Sequence, residues 1–150
     1  MRITSLQLEI KDRPKEKTLD HVLGFLDRAP ASDLFLLPEL WTCGYFSFNR
    51  YKEDSETLEG PTVSALKQKA VERRAYLFMG SIVEREGHNF FNTSLLLNPR
   101  GEVIARYRKI HLFGYQSDEK KLLKRGQEIV VAETPWGRAG LSTCYDLRFP

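Results

Sequence analysis

Hydrophobic periodicity switches repeatedly along this chain between period two and helical spacing, and that alternation constrains the fold more than any single residue. "ITSLQLEI" alternates apolar and polar residues, as a strand with one buried face does. Residues 14–29 then place Leu19, Val22, Leu23 and Leu26 at helical spacing, with Pro14 near the start and Pro30 just past the end. "DLFLLPEL" is a short continuous apolar run, the pattern of a strand covered on both faces. Residues 62–74 return to helical spacing through Val63, Leu66 and Ala70, and "YLFMGSIVER" is a third strand. Strand, helix, strand, helix, strand predicts right-handed crossovers and a parallel core.

Past residue 88 the rhythm changes. "NFFNTSLLLNPRGEVIARYRKI" reads as two antiparallel strands joined by the turn "NPRG". Residues 111–127 read as a long polar loop, and "EIVVAETPWGRAGLSTC" as two short strands about a Pro-Trp-Gly turn. There is no repeat or low-complexity linker, so one α/β domain over residues 1–150 is expected.

Charge and cysteine usage exclude several function classes. Twenty-three basic against 20 acidic residues leave a net charge of +3, too balanced to imply nucleic acid. The densest basic stretch, "EKKLLKRG", reads as a solvated surface segment. Cys43 and Cys144 show neither CxxC nor Cys/His spacing, which argues against a disulfide framework and a zinc site. "MRITSLQLEI" lacks the pattern of a signal peptide, and no segment has the length of a membrane span. A cytosolic protein with reduced thiols and no membrane association is expected.

Three chemically capable residues finish apolar strands. Val103, Ala105, Tyr107 and Lys109 share one strand face, so Lys109 ends an apolar row; taken alone it reads as a lysine with its head in water. Glu39 follows Pro38 at the end of "DLFLLPEL", where ligands bind in open α/β sheets. Cys144 ends "GRAGLST"; a lone cysteine is more often structural than reactive. Together they make a set: a carboxylate to take a thiol proton, an ammonium to favour thiolate and hold an oxyanion, and a sulfur nucleophile. Of the histidines only His111 lies near enough in sequence to Lys109 to reach such a site, and it reads as packing the loop. Cys43 reads as a packing residue in its aromatic loop.

These stretches resemble the nitrilase superfamily, the carbon–nitrogen hydrolases. "FLLPELWTCGY" resembles that family's glutamate motif, "RYRKIHLFG" its lysine motif and "GLSTCYDLRFP" its cysteine motif. The resemblance implies Glu39 as general base, Lys109 as transition-state stabiliser and Cys144 as nucleophile. It further implies Glu119 as a second carboxylate and the Tyr145 N–H as an oxyanion donor. The fold it implies is an αββα sandwich, of which this chain holds the N-terminal part, since family members continue well past residue 150. On that basis the 150 residues are expected to be marginally stable alone and without useful catalysis.

Implied too are a small amide substrate, water, no metal or organic cofactor, and a homo-oligomer at full length. "CYDLRFP" resembles the amidase-type branch, with ω-amidases of dicarboxylic acid amides the nearest. Arg148 would then clamp a substrate carboxylate, or else pair with Asp146. A nitrilase or N-carbamoyl hydrolase would share the triad, a papain-like hydrolase would need a histidine signature that is absent, and a catalytically silent binding module is the alternative outside enzymes.

Overall fold

The computed structural model describes residues 1–9 and 13–149. Its centre is a five-stranded sheet, β1 (Ile3–Ser5), β2 (Leu34–Leu36), β3 (Tyr76–Glu86), β4 (Asn89–Leu97) and β5 (Val103–Arg108), in that spatial order. β1, β2 and β3 are parallel, and β4 runs antiparallel to both β3 and β5. The change of rhythm near residue 88 is thus the change from crossover to hairpin. β1 stops at Ser5, well short of the run predicted for it, whose last residue, Ile10, lies outside the described residues.

Helices α1 (Lys15–Arg28) and α2 (Pro61–Arg73) supply the two crossovers. Val22 and Leu26 of α1, with Val63 and Leu66 of α2, are wholly buried against Phe35, Leu77 and Leu95 on one face of the sheet. Each such side chain stabilises the fold by about 1.5–3 kcal/mol relative to exposure. Pro61 opens α2, and Arg74 closes it in the left-handed conformation with its N–H on Ala70 and Val71.

The opposite face is only partly covered. A hairpin of β6 (Val131–Thr134) and β7 (Gly137–Gly140) packs Ala132 near Leu96 and Ala105, beside Leu34 and Phe78. β2 is therefore not covered on both faces, as its apolar run predicts. Phe35 and Leu37 are buried, while Leu34 and Leu36 are half-buried and line a cleft of about 390 Å³ with Tyr76, Phe78 and Trp136.

Two local predictions need correction. The 111–127 loop contains a helical turn, α3 (Glu119–Leu122), too short to leave a periodic signal. Within "EKKLLKRG" the lysines and Arg125 are exposed, but Glu119 and Leu123 are buried, so the segment is not simply solvated. Among the described residues no helix is long and apolar enough to cross a membrane.

Candidate active site

The site lies on the hairpin face of the sheet, where β4 begins and β5 ends. Period-two alternation turns Asn92, Ser94 and Leu96 of β4 away from the helices, and Tyr107 pairs with Ser94 on β5. Lys109 follows in the same row as Tyr107. Its N–H donates to Asn92 O at 2.9 Å, and its carbonyl accepts from Gly126 N at 2.9 Å. A Cβ at Gly126 would lie 2.0 Å from the Arg108 carbonyl, so only glycine lets that segment close on the strand.

Lys109 is not a lysine reaching for water. Its side chain is 0% exposed, with Nζ 2.7 Å from Glu39 Oε1 and 3.0 and 3.2 Å from the two oxygens of Glu119. Burial works against the ammonium, but the two carboxylates outweigh it and raise its pKa above the ordinary lysine value. The Tyr45 ring lies 5.6 Å beneath the same nitrogen.

Glu39 sits three residues past β2, held there by a glycine in β3. Gly80 takes φ +61° where the β3–β4 register shifts, and the Leu37–Pro38 backbone passes directly over it. A Cβ at Gly80 would lie 1.9 Å from the Pro38 carbonyl. Ser81 N donates to Pro38 O, and Leu40, itself at φ +45°, donates its N–H to Ser81 Oγ. Glu39 is thus fixed from both sides. Glu119, the first residue of α3, accepts from Phe113 N at 2.7 Å as well as from Lys109.

Cys144 does not end a strand. β7 stops at Gly140, and Cys144 instead begins a 3-10 turn, Cys144–Arg148, with its own φ at +51°. Left-handed backbone is costly for a residue with a Cβ, and here it lifts the thiol out of the preceding extended segment. Cys144 is open to solvent. Partial burial of the sulfur and then the Glu39 carboxylate push the thiol pKa up, through charge and a hydrogen bond, while Lys109 draws it down. The three residues singled out in the sequence therefore meet at one place.

Asp146 ties this turn to the lysine strand. Its buried carboxylate accepts from Tyr107 OH at 2.6 Å, from the N–H groups of His111 and Thr143 at 2.9 Å each, and faces His111 Nδ1 at 2.9 Å. Arg148 is not its partner, as one sequence reading had it, and stands exposed. Tyr145 is half-buried, its ring edge-on to Phe113 and Phe149, and no acceptor among the described residues is placed on its N–H.

Sequence reasoning missed Asn92, whose Nδ2 donates to Glu39 Oε1 at 2.8 Å and to Glu119 Oε1 at 3.0 Å. The signal was present, since Asn92 and Ser94 are polar residues alternating within a strand otherwise rich in buried apolar ones. Cys43 is buried, with burial pushing its thiol up to about 12, as befits a packing residue. Among the described residues no group of three or more His, Cys, Asp or Glu side chains is arranged to hold a metal ion.

Comparison with known proteins agrees with this architecture. The chain is 36% identical over 143 residues to a 2-oxoglutaramate amidase of Paenarthrobacter nicotinovorans, covering 90% of this chain and 49% of that protein. It is 31% identical over 156 residues to omega-amidase NIT2 of Homo sapiens, covering 99% of this chain and 56% of that one. A CN-hydrolase superfamily protein of Xanthomonas campestris, whose crystal structure carries an arsenic adduct in the active site, superposes with a TM-score of 0.90. That match has 33% identity and covers 99% of this chain and 55% of the other. The chain thus spans about half the length of the relatives it matches. Residues 2–150 match the carbon-nitrogen hydrolase model, and on that match the chain belongs to the carbon–nitrogen hydrolase family.

Proposed function

We propose that this chain carries the reacting groups of an amidase that releases ammonia from a small amide through a cysteine acyl-enzyme. The observation that carries the reading is the 2.7 Å contact between Glu39 and the fully buried Lys109, with the Cys144 thiol near enough to feel the charge of both. At rest the proton stays on sulfur, because burial and Glu39 both raise the thiol pKa. Attack therefore couples two movements: the Cys144 proton passes to Glu39 as the C–S bond forms at the amide carbon.

The oxyanion that develops is held by the Lys109 ammonium and the Tyr145 N–H. Glu39 then returns its proton to the leaving nitrogen, the C–N bond breaks, and ammonia departs. Water, deprotonated by the same carboxylate, hydrolyses the thioester and restores the thiol. Glu119 holds Lys109 from the other side, which keeps the ammonium charged and fixed.

For substrate we propose an ω-amide of a dicarboxylic acid, with Arg148 receiving the distal carboxylate. Two relatives named for 2-oxoglutaramate and for omega-amide hydrolysis support this, as does the exposed guanidinium four residues past the nucleophile. Ammonia release from a panel containing 2-oxoglutaramate, neutral amides, nitriles and N-carbamoyl amino acids, measured on a chain extended to the length of its relatives, tests the reading. Turnover favouring the acidic amide is expected; turnover of nitriles or carbamoyl compounds alone would displace it.

A further inference from the structure

Asn92 is an expensive residue to bury where it stands. It is 2% exposed, and its Oδ1 has no hydrogen-bond partner among the described residues. An unpaired buried acceptor costs about 1–3 kcal/mol. A leucine of similar size would avoid that cost, so packing alone does not account for an amide here.

What the amide does is visible on its other side. The two Nδ2 hydrogens go to two different carboxylates, Glu39 Oε1 at 2.8 Å and Glu119 Oε1 at 3.0 Å. The flipped amide would set Oδ1 against both anions, so these contacts fix its orientation. Lys109 Nζ reaches the same Oε1 of Glu39, at 2.7 Å. Both donors therefore land on one oxygen of the base, and among the described residues no hydrogen-bond donor is placed on Oε2, while the carboxylate acts on the Cys144 thiol through its charge.

We propose that Asn92 is a positioning residue: together with Lys109 it pins Oε1 of Glu39 and so turns Oε2 toward the Cys144 thiol. The inference rests on Glu39 acting as base in the function proposed above. It adds a geometric cause for that role. A carboxylate held at one oxygen by two donors cannot rotate to offer the wrong edge, and the bridge to Glu119 keeps two like charges at fixed separation around a single ammonium. Misplacement of a reacting group by about 1 Å costs on the order of 100-fold in rate.

The test is the pH dependence of Cys144 alkylation by iodoacetamide, read at that residue by peptide mass, beside ammonia release. Buried Cys43, its thiol pushed up to about 12, does not interfere. The charged groups facing the thiol are Glu39, Lys109 and Glu119. Glu39→Gln removes the largest charge that raises the thiol and should lower the alkylation midpoint by about one pH unit. Asn92→Leu, folded, should shift the midpoint part of the way in the same direction and lower kcat about 10-fold or more, with KM within about twofold. Asn92→Gln, which keeps an amide donor, should recover part of both.

A folded Asn92→Leu protein with the wild-type midpoint and kcat would overturn the proposal. Where the leucine variant does not fold, Asn92→Ser, too short to span both carboxylates, replaces it with the same two outcomes. Absence of ammonia release from every amide by a wild-type chain extended to the length of its relatives strikes the amidase reading, and the alkylation midpoints then decide the placement of Asn92 by themselves.

Discussion

Tyr107 donates its hydroxyl hydrogen to Asp146 across 2.6 Å, joining the strand that leads to Lys109 with the turn that carries Cys144. The same carboxylate receives the N–H groups of His111 and Thr143. Asp146→Ala leaves a hydroxyl and two amide donors without an acceptor in a buried setting. A loss of about 2–4 kcal/mol in denaturant unfolding is expected, with slower Cys144 alkylation as the turn loosens. Tyr107→Phe removes one donor only and should cost about 1–2 kcal/mol.

That staple also has a pH signature. Burial opposes the Asp146 charge, but Tyr107, the Thr143 and His111 amides and the His111 ring outweigh it, so its pKa is lowered. A carboxyl depressed on folding contributes stability that is fully present above its unfolded value, about 3.9, and is lost as pH falls through the lower folded value. The stability gap between wild type and Asp146→Ala should be flat from pH 7 to about pH 5 and close below about pH 4. A gap that persists unchanged at pH 2 would show that the carboxylate charge is not what holds the turn.

Cys144 and Lys109 should separate chemistry from folding. In a chain extended to the length of its relatives, Cys144→Ala deletes an exposed thiol and should abolish turnover while leaving stability within about 1 kcal/mol. Lys109→Met removes the one ammonium between Glu39 and Glu119, and stability should fall by about 3–5 kcal/mol. In molecules that remain folded the rate should drop at least ~100-fold, as for loss of an oxyanion donor. Circular dichroism melts beside ammonia assays distinguish the two variants.

Gly80→Ala tests how Glu39 is held. The added Cβ meets Pro38 O at 1.9 Å on a backbone already at φ +61°. A cost of at least about 2 kcal/mol is expected from conformation alone, and more from the clash. The segment that must yield is the one bearing Glu39, so turnover should fall further than stability predicts.

Much of this was legible because strand geometry is simple. Period two placed Lys109 in the row of Ala105 and Tyr107, both of which are buried. Pro38 marked the end of a strand, and Glu39 did fall outside the ladder. Other features depend on chain segments that meet only after folding. Gly80 reads as a strand glycine until Pro38 passes over it, and Asp146 finds its partners 35 and 39 residues away rather than at Arg148. The polar Asn92 within β4 hinted at a special role, but nothing local announces its two carboxylate partners 53 and 27 residues distant.

Arg148 should act on substrate and not on the fold. It is exposed with no ion-pair partner among the described residues, so Arg148→Ala should leave the melting temperature unchanged. KM should rise for acidic amides and stay constant for neutral ones. Equal effects on both substrate classes would remove the guanidinium from carboxylate recognition.

The left-handed turn at Cys144 sets heat resistance and activity against each other at one position. Glycine is the residue such a backbone suits, and Cys144→Gly should release about 1 kcal/mol of strain. It would also remove the sulfur. Selection of this chain for thermal tolerance alone would therefore drift toward a sturdier and chemically silent protein, and directed evolution on it requires an activity screen at every round.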